Sequence, residues 1–372
     1  MANVSLTRKK QKLKLKLKQK KTKIQKKFAK NNKNKNKNKN KINNNRKKNN
    51  QGGTTTISNK NNINNNDDNI INNNKINATT QKNMSFKKLN CSPKPNKLQV
   101  NSFSCYTNDT LQKMRALWNQ RHPDVKLEST DPKEIHMFLE KQMKEMCNNE
   151  ACWLKESKIF PTSSIENIIS ESFAPEMPIK WKANPHEWLS SVEINKVMRQ
   201  YEKAYPCFEF IGPSPIDFDT KLMGGECVWK ELCHFQIEKQ LQKKKTKIGI
   251  IINTDTHDKS GEHWISMFIN IKKGRIFFFD SVGTTAPPEI RALVDRILEQ
   301  GKKLSPPIDF KYDENHPVEH QYKNTECGIY SIFFIVHLLE DKLTENYFKT
   351  HVLKDEYMHK FRNTYFNETL HS

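Results

Sequence analysis

The first 100 residues almost lack acidic side chains: 28 are Lys or Arg, and only Asp67 and Asp68 oppose them. The whole net charge of +23 resides there, because residues 101–372 hold 36 basic against 39 acidic side chains. Aromatic residues are as scarce, with Phe28 alone up to residue 85. A stretch so poor in apolar side chains cannot bury enough surface to offset chain entropy, which predicts a disordered basic tail over 1–85 and leaves the rest to fold. Long apolar runs are missing too. The longest, residues 329–339, is far short of the about 20 residues that cross a bilayer, so no membrane span is expected. No apolar block follows the charged start at residues 1–20, which argues against a secretory signal. Cysteine is sparse, with eight spread from Cys91 to Cys327, unlike the dense framework of a small secreted scaffold. Reduced thiols in a cytosol-like compartment are therefore expected.

The tail supports two readings. Lys alternates with Leu over residues 12–18 and with Asn over 33–41. Such runs can neutralise phosphates in a salt-sensitive, sequence-blind nucleic-acid contact through residues 1–85, or serve as an address. Lys, Asn and Ile also have A/T-rich codons, and low complexity of this kind can arise from composition alone.

Structure-like spacing begins near residue 86. Leu111, Met114, Leu117 and Trp118 recur at helical intervals, as do Ile135, Phe138, Leu139 and Met143, with breaks at His122-Pro123 and Asp131-Pro132. Residues 86–180 therefore read as a helical N-terminal module. A further helix is predicted from Ser190 to about Ala204, capped by Ser190 or Ser191 and ended by Pro206, with a Pro-rich loop at Gly212-Pro213-Ser214-Pro215. After residue 245 three short Ile-, Phe- and Trp-rich segments, 247–253, 263–271 and 275–282, read as adjacent strands. Pro287-Pro288 opens another helix that Gly301 closes, residues 308–312 offer a strand, and 327–339 form a helix apolar nearly all round, as expected at a domain centre. A last helix is predicted over about 344–361. The whole is an α+β chain.

The chemistry sits on these elements. A thiol nucleophile needs a base, a group to orient the base, and donors for an oxyanion. Cys327 begins the apolar helix, where backbone N–H groups and the positive end of the dipole stabilise negative charge, and Gly328 beside it permits close backbone approach. If residues 271–274 form a four-residue hairpin loop, His263 faces Val282 and Asp280 becomes its diagonal neighbour on the same face, because the side-chain period is two. Taken singly, a buried Cys is usually a small core residue and a His at a strand start a surface one. Order and spacing together carry the reading.

His263-Trp264, Asp280-Ser281 and the run from Gln321 through Tyr322, Lys323, Asn324, Thr325 and Glu326 to Cys327-Gly328 closely resemble the motifs of the SUMO proteases and adenovirus-type cysteine proteases. Trp188-Leu189 resembles that family's Trp-Leu motif, and residues 210–218 resemble its viral polyprotein-processing members. The likeness covers roughly residues 185–345, with a weaker echo at 111–119. It implies a cysteine protease domain over 181–372 with a central mixed β-sheet flanked by helices. It further implies Cys327 as nucleophile, His263 as general base, Asp280 as its orienter and Gln321 as oxyanion donor. Trp188 and Trp264 would enclose a Gly-Gly segment of a protein substrate beside Gly328. One departure is Ser191, where SUMO proteases carry Asp, which weakens SUMO recognition more than the chemistry.

Three smaller patterns complete the reading. His316-Pro317-Val318-Glu319-His320 matches a zinc-protease string, but Pro317 argues against the helix such a site needs. Cys227 and Cys233-His234 could ligate zinc but lack a second paired motif, so neither metal nor cofactor is expected. Gln51-Gly52-Gly53-Thr54 offers a self-cleavage site. The sequence is read as a viral endopeptidase that cleaves virion precursor proteins after Gly-Gly, working in the virion and the infected host cytoplasm. The alternatives are a SUMO or ubiquitin-like deconjugase, and a nucleic-acid-binding virion protein on a protease scaffold.

Overall fold

The structure is a computed structural model that describes residues 86–94, 101–156 and 162–370. The basic tail and its Gly52-Gly53 pair lie outside the described residues, which all fall in one compact unit. No helix among them is long and apolar enough to cross a membrane.

Four helices come first: α1 (Asn108–Arg121), α2 (Pro132–Met143), α3 (Glu150–Glu156) and α4 (Thr162–Ser172). The two prolines act as punctuation. α1 stops at His122 before Pro123, while Pro132 sits in the first turn of α2, where its missing N–H removes no helical bond. Asp131 caps that turn by accepting the Lys133 and Glu134 N–H groups at 2.9 and 3.0 Å. Their apolar faces close a core around Leu111, Ile135, Leu139 and Trp153.

The expectation of reduced thiols is overturned here. Cys91 pairs with Cys105, Cys147 with Cys152, and Cys227 with Cys233, which leaves Cys207 and Cys327 unpaired. Sparse cysteines hid short loops: the partners are 14, 5 and 6 residues apart, and local folding brings their Cα atoms within 5.1 to 6.3 Å.

After the short α5 (Lys180–Ala183), α6 (Ser191–Ala204) opens on a capping box in which the Ser190 N–H donates to Glu193 at 2.8 Å. β1 (Phe208–Pro215) follows, so the Pro-rich segment predicted as a loop completes a strand. It can do so because β1 is an edge strand whose register slips between Ile211 and Ser214, and proline is tolerated at edges and bulges.

After α7 (Lys230–Cys233) and α8 (Ile237–Gln242), the chain adds β2 (Lys247–Asn253), β3 (Trp264–Asn270), β4 (Arg275–Phe279), α9 (Pro288–Lys302) and β5 (Lys311–Glu314). The sheet runs β1-β2-β3-β4-β5, with parallel outer pairs and antiparallel inner ones, the mixed sheet expected. Alternation sorts the side chains. Ile250, Met267 and Phe278 face α9, whereas Ile251, Phe268 and Phe277 face the core built on α10 (Cys327–Leu339). Gly249 lets α10 settle on the sheet: a Cβ there would lie 2.7 Å from Ile335 and 2.9 Å from the Phe208 ring. Burial of Phe333 and Phe334 on α10 stabilises this layer by about 1.5–3 kcal/mol each.

The single helix predicted at the end is three short ones, α11 (Glu345–Thr350), α12 (Asp355–Lys360) and α13 (Arg362–Tyr365). Tertiary bonds break it. The Leu353 N–H donates to His320 Nδ1 at 3.1 Å, and Asp355 accepts the Tyr322 and Lys323 N–H groups at 3.0 Å each. The interruption therefore ties the chain terminus to the loop that leads into Cys327.

Candidate active site

His263 lies just ahead of β3, and Asp280 just past β4. Asn270 pairs with Arg275 across the four-residue loop at 271–274, so the register extends to His263 opposite Val282 and leaves Asp280 diagonal to it. The imidazole Nε2 meets Asp280 Oδ1 at 2.6 Å. Cys327 is buried at the first position of α10, and Nδ1 is the ring nitrogen left for its thiol.

Asp280 is itself fixed. Its carboxylate accepts from the Thr284 hydroxyl and, at 3.1 Å, from the Val282 N–H. Asn315, fully buried, accepts the Asp280 N–H at 2.9 Å and donates to the Asp280 and Val318 carbonyls at 2.8 and 2.9 Å. Burial pushes the Asp280 pKa up, yet bonds from His263, Thr284 and Val282 hold it below the usual carboxylate value. Burial would lower the His263 pKa, but the bonds to Asp280 and Cys327 and the attraction of their negative charge raise it from 6.5 to about 10.

These shifts set a pH window for stability. The Asp280 share is present above the unfolded carboxylate value of 3.8 and is lost as pH falls through the lower folded one. The His263 share is full below 6.5 and is lost as pH rises through about 10. Thermal melts of wild type and His263→Gln are expected to differ most near about pH 5 to 6 and to converge above about pH 10. A difference that stays constant over that range removes the charged pair from the account.

Gln321 sits beside this chain of bonds. Ser281 donates its hydroxyl to Gln321 Oε1 at 2.7 Å, which orients the amide and presents Nε2 as the donor. Nε2 gives one hydrogen to the Lys323 carbonyl at 2.5 Å, and an amide nitrogen has a second. The two tryptophans wall a cleft of about 520 Å³ that also touches Ser214, Trp229 and Glu262. Trp188 Nε1 donates to the Asn324 carbonyl at 2.6 Å and Trp264 Nε1 to the Leu189 carbonyl at 2.9 Å, so both rings are held in place. Gly328 serves this packing, since a Cβ there would lie 2.9 Å from Leu189 and 3.4 Å from Trp264.

The zinc-protease string forms no such site. Residues 316–320 are not helical, His316 Nδ1 faces the Gly283 carbonyl, and both His320 nitrogens are engaged by Phe348 and Leu353. Cys227 and Cys233 are bonded to each other beside His234. Sequence reasoning missed Ser281, Thr284, Asn315 and Asp355 as supports. Ser281 belongs to the Asp280-Ser281 motif, though no role followed from it, whereas an isolated Thr, Asn or Asp in a loop carries no spacing signal.

A buried cysteine at a helix N-terminus, together with an imidazole that a carboxylate orients, is the set of groups that cysteine-protease chemistry requires. Residues 193–372 match the Ulp1 protease family, C-terminal catalytic domain. A protein of Acanthamoeba polyphaga mimivirus named a thiol protease is 31% identical over 202 residues, 54% of this chain and 62% of its own length. A SUMO-1 cysteine protease of African swine fever virus is 25% identical over 247 residues, 62% of this chain and 86% of that one. The crystal structure of the African swine fever virus protease superposes with a TM-score of 0.55 at 19% identity over 77% of this chain and 98% of that one, a likeness of fold.

Proposed function

We propose that this chain is a viral cysteine endopeptidase that cleaves precursor proteins after Gly-Gly. The observation that carries the chemistry is the series Asp280, His263, Cys327 at the head of α10. With its pKa raised to about 10, the His263 ring takes up the proton that the Cys327 sulfur gives up on attack and can pass it to the leaving amine. The sulfur attacks the scissile carbonyl, the amine leaves with the proton from His263, and water hydrolyses the acyl-thioester. Gln321 and the Cys327 N–H would receive the oxyanion. Gln321→Ala is expected to lower kcat by about 10²-fold with KM little changed, and Asp280→Asn to be milder than loss of His263. Steady-state kinetics check both.

The Gly-Gly preference rests on Trp188 and Trp264, whose rings are held in place along one cleft and which, by the family resemblance, would enclose a segment without side chains. Virion precursors are the assigned substrates, and the virion and infected-cell cytoplasm the assigned place of action. Deconjugation of SUMO or a ubiquitin-like protein is the second reading, favoured by the naming of the African swine fever virus relative. Reduced enzyme, incubated with a Gly-Gly-X peptide library and a SUMO precursor, separates the two. Peptide cleavage without SUMO cleavage supports the maturation protease, SUMO cleavage supports the deconjugase, and silence on both removes the proposal. The nucleic-acid reading rests on residues outside the described ones. Salt-dependent DNA binding that is lost on deleting residues 1–85 is its test.

A further inference from the structure

We propose that His186, Glu326 and His359 form a binding site for a borderline transition-metal dication such as Zn²⁺, one residue away from the nucleophile rather than on it. His359 Nδ1 lies 2.9 Å and His186 Nδ1 3.7 Å from the same Glu326 Oε1. The three candidate ligand atoms all lie within 4.8 Å of one another. A tetrahedral zinc with bonds of about 2.0–2.1 Å sets its ligand atoms roughly 3.3 Å apart, so small side-chain movements complete the set. Two imidazoles and one carboxylate, with a fourth place for water, suit zinc and exclude the all-oxygen cages of calcium and magnesium.

The surroundings fit an ion better than they fit protons. The two rings are 4.5 Å apart, so charging both would set two cations against each other, whereas a dication replaces both protons at once. Burial is graded toward the same point. The Glu326 side chain is 1% exposed, His359 34% and His186 55%, which puts the carboxylate at the floor and opens the fourth place to solvent. Glu326 Oε2 is held by Arg362 Nε at 2.8 Å, and that guanidinium also donates to the Thr325 carbonyl at 3.2 Å. Such an outer contact fixes a ligating carboxylate, while Oε1, which the Thr325 hydroxyl also approaches at 3.4 Å, faces the two imidazoles. On binding, both imidazoles take the Nε2–H form, and the proton between His359 and Glu326 leaves to solvent.

The ion would staple three segments. His186 precedes Trp188 by two residues, Glu326 directly precedes Cys327, and His359 belongs to α12. Occupancy therefore stabilises the Trp188 wall against the loop before the nucleophile.

The test uses untagged, full-length Cys327→Ala protein with its disulfides intact, so that the reactive thiol cannot bind the ion. Zinc titration by calorimetry is expected to show one site, weakened at least about tenfold in the His186→Ala/His359→Ala variant and unchanged in His234→Ala. Zinc should raise Tm in the parent and not in the double variant. Bound Co²⁺ should give tetrahedral d–d bands without thiolate charge transfer. No binding, equal binding in the double variant, loss in His234→Ala, or a thiolate band each overturns the proposal. Because the assay contains no protease chemistry, those results leave the peptidase reading standing.

Discussion

Cys327→Ala is expected to abolish cleavage of every Gly-Gly peptide the wild type cuts, lowering kcat by about 10⁴-fold or more, while its thermal melt stays close to wild type. The size of the effect follows from the site having one reactive sulfur. Six of the eight cysteines are paired, and the other unpaired one, Cys207, precedes β1, where its carbonyl accepts the Thr246 and Lys247 N–H groups. Cys207→Ala is the control and should keep full activity. Iodoacetamide under non-reducing conditions should inactivate wild type and the Cys207→Ala control alike, with a label at Cys327 that is absent from the Cys327→Ala variant. Wild-type rates from Cys327→Ala would falsify the mechanism, and full activity after stoichiometric labelling of Cys327 would do the same by another route.

The His263–Asp280 contact was legible because an antiparallel hairpin with an even loop leaves no freedom of face. Once residues 271–274 turn the chain, the diagonal relation follows from the pleat alone. α6 was legible for a similar local reason, since Ser190 and Glu193 form a box that a four-residue window contains. What failed to show in the sequence depends on contacts far along the chain. Proline at 213 and 215 spoke for a loop, and only the position of β1 at the sheet edge makes a strand possible. Helical spacing continues through residues 351–354, yet His320 and the backbone of Tyr322 and Lys323 draw that segment and Asp355 out of the helix. His186, Glu326 and His359 are 140 and 33 positions apart, so no motif could have gathered them. Low cysteine density points to reduced thiols only because composition records abundance, while pairing depends on loop closure.

Arg362→Ala is expected to lower stability by about 3–5 kcal/mol, the largest effect foreseen for a residue outside the reacting groups. Glu326 and Arg362 are both almost fully buried, at 1% and 3% side-chain exposure, and their contact is 2.8 Å. Removing the guanidinium strands a carboxylate in the core and also takes a donor from the Thr325 carbonyl and a cation from the Trp181 face, 4.5 Å away. His359 can compensate in part, because its Nδ1 already contacts the other carboxylate oxygen. Urea unfolding of Arg362→Ala, Glu326→Gln and the double variant measures the coupling. Each single variant should cost more than half of what the double costs, since the second change removes the stranded partner. Additive losses would mean that the pair is screened by water and that α13 is held by packing alone. Because Thr325 and Glu326 lead directly into Cys327, the same variants should slow turnover at temperatures where the protein is still folded. A purely structural role far from the site would leave kcat untouched below the melting range.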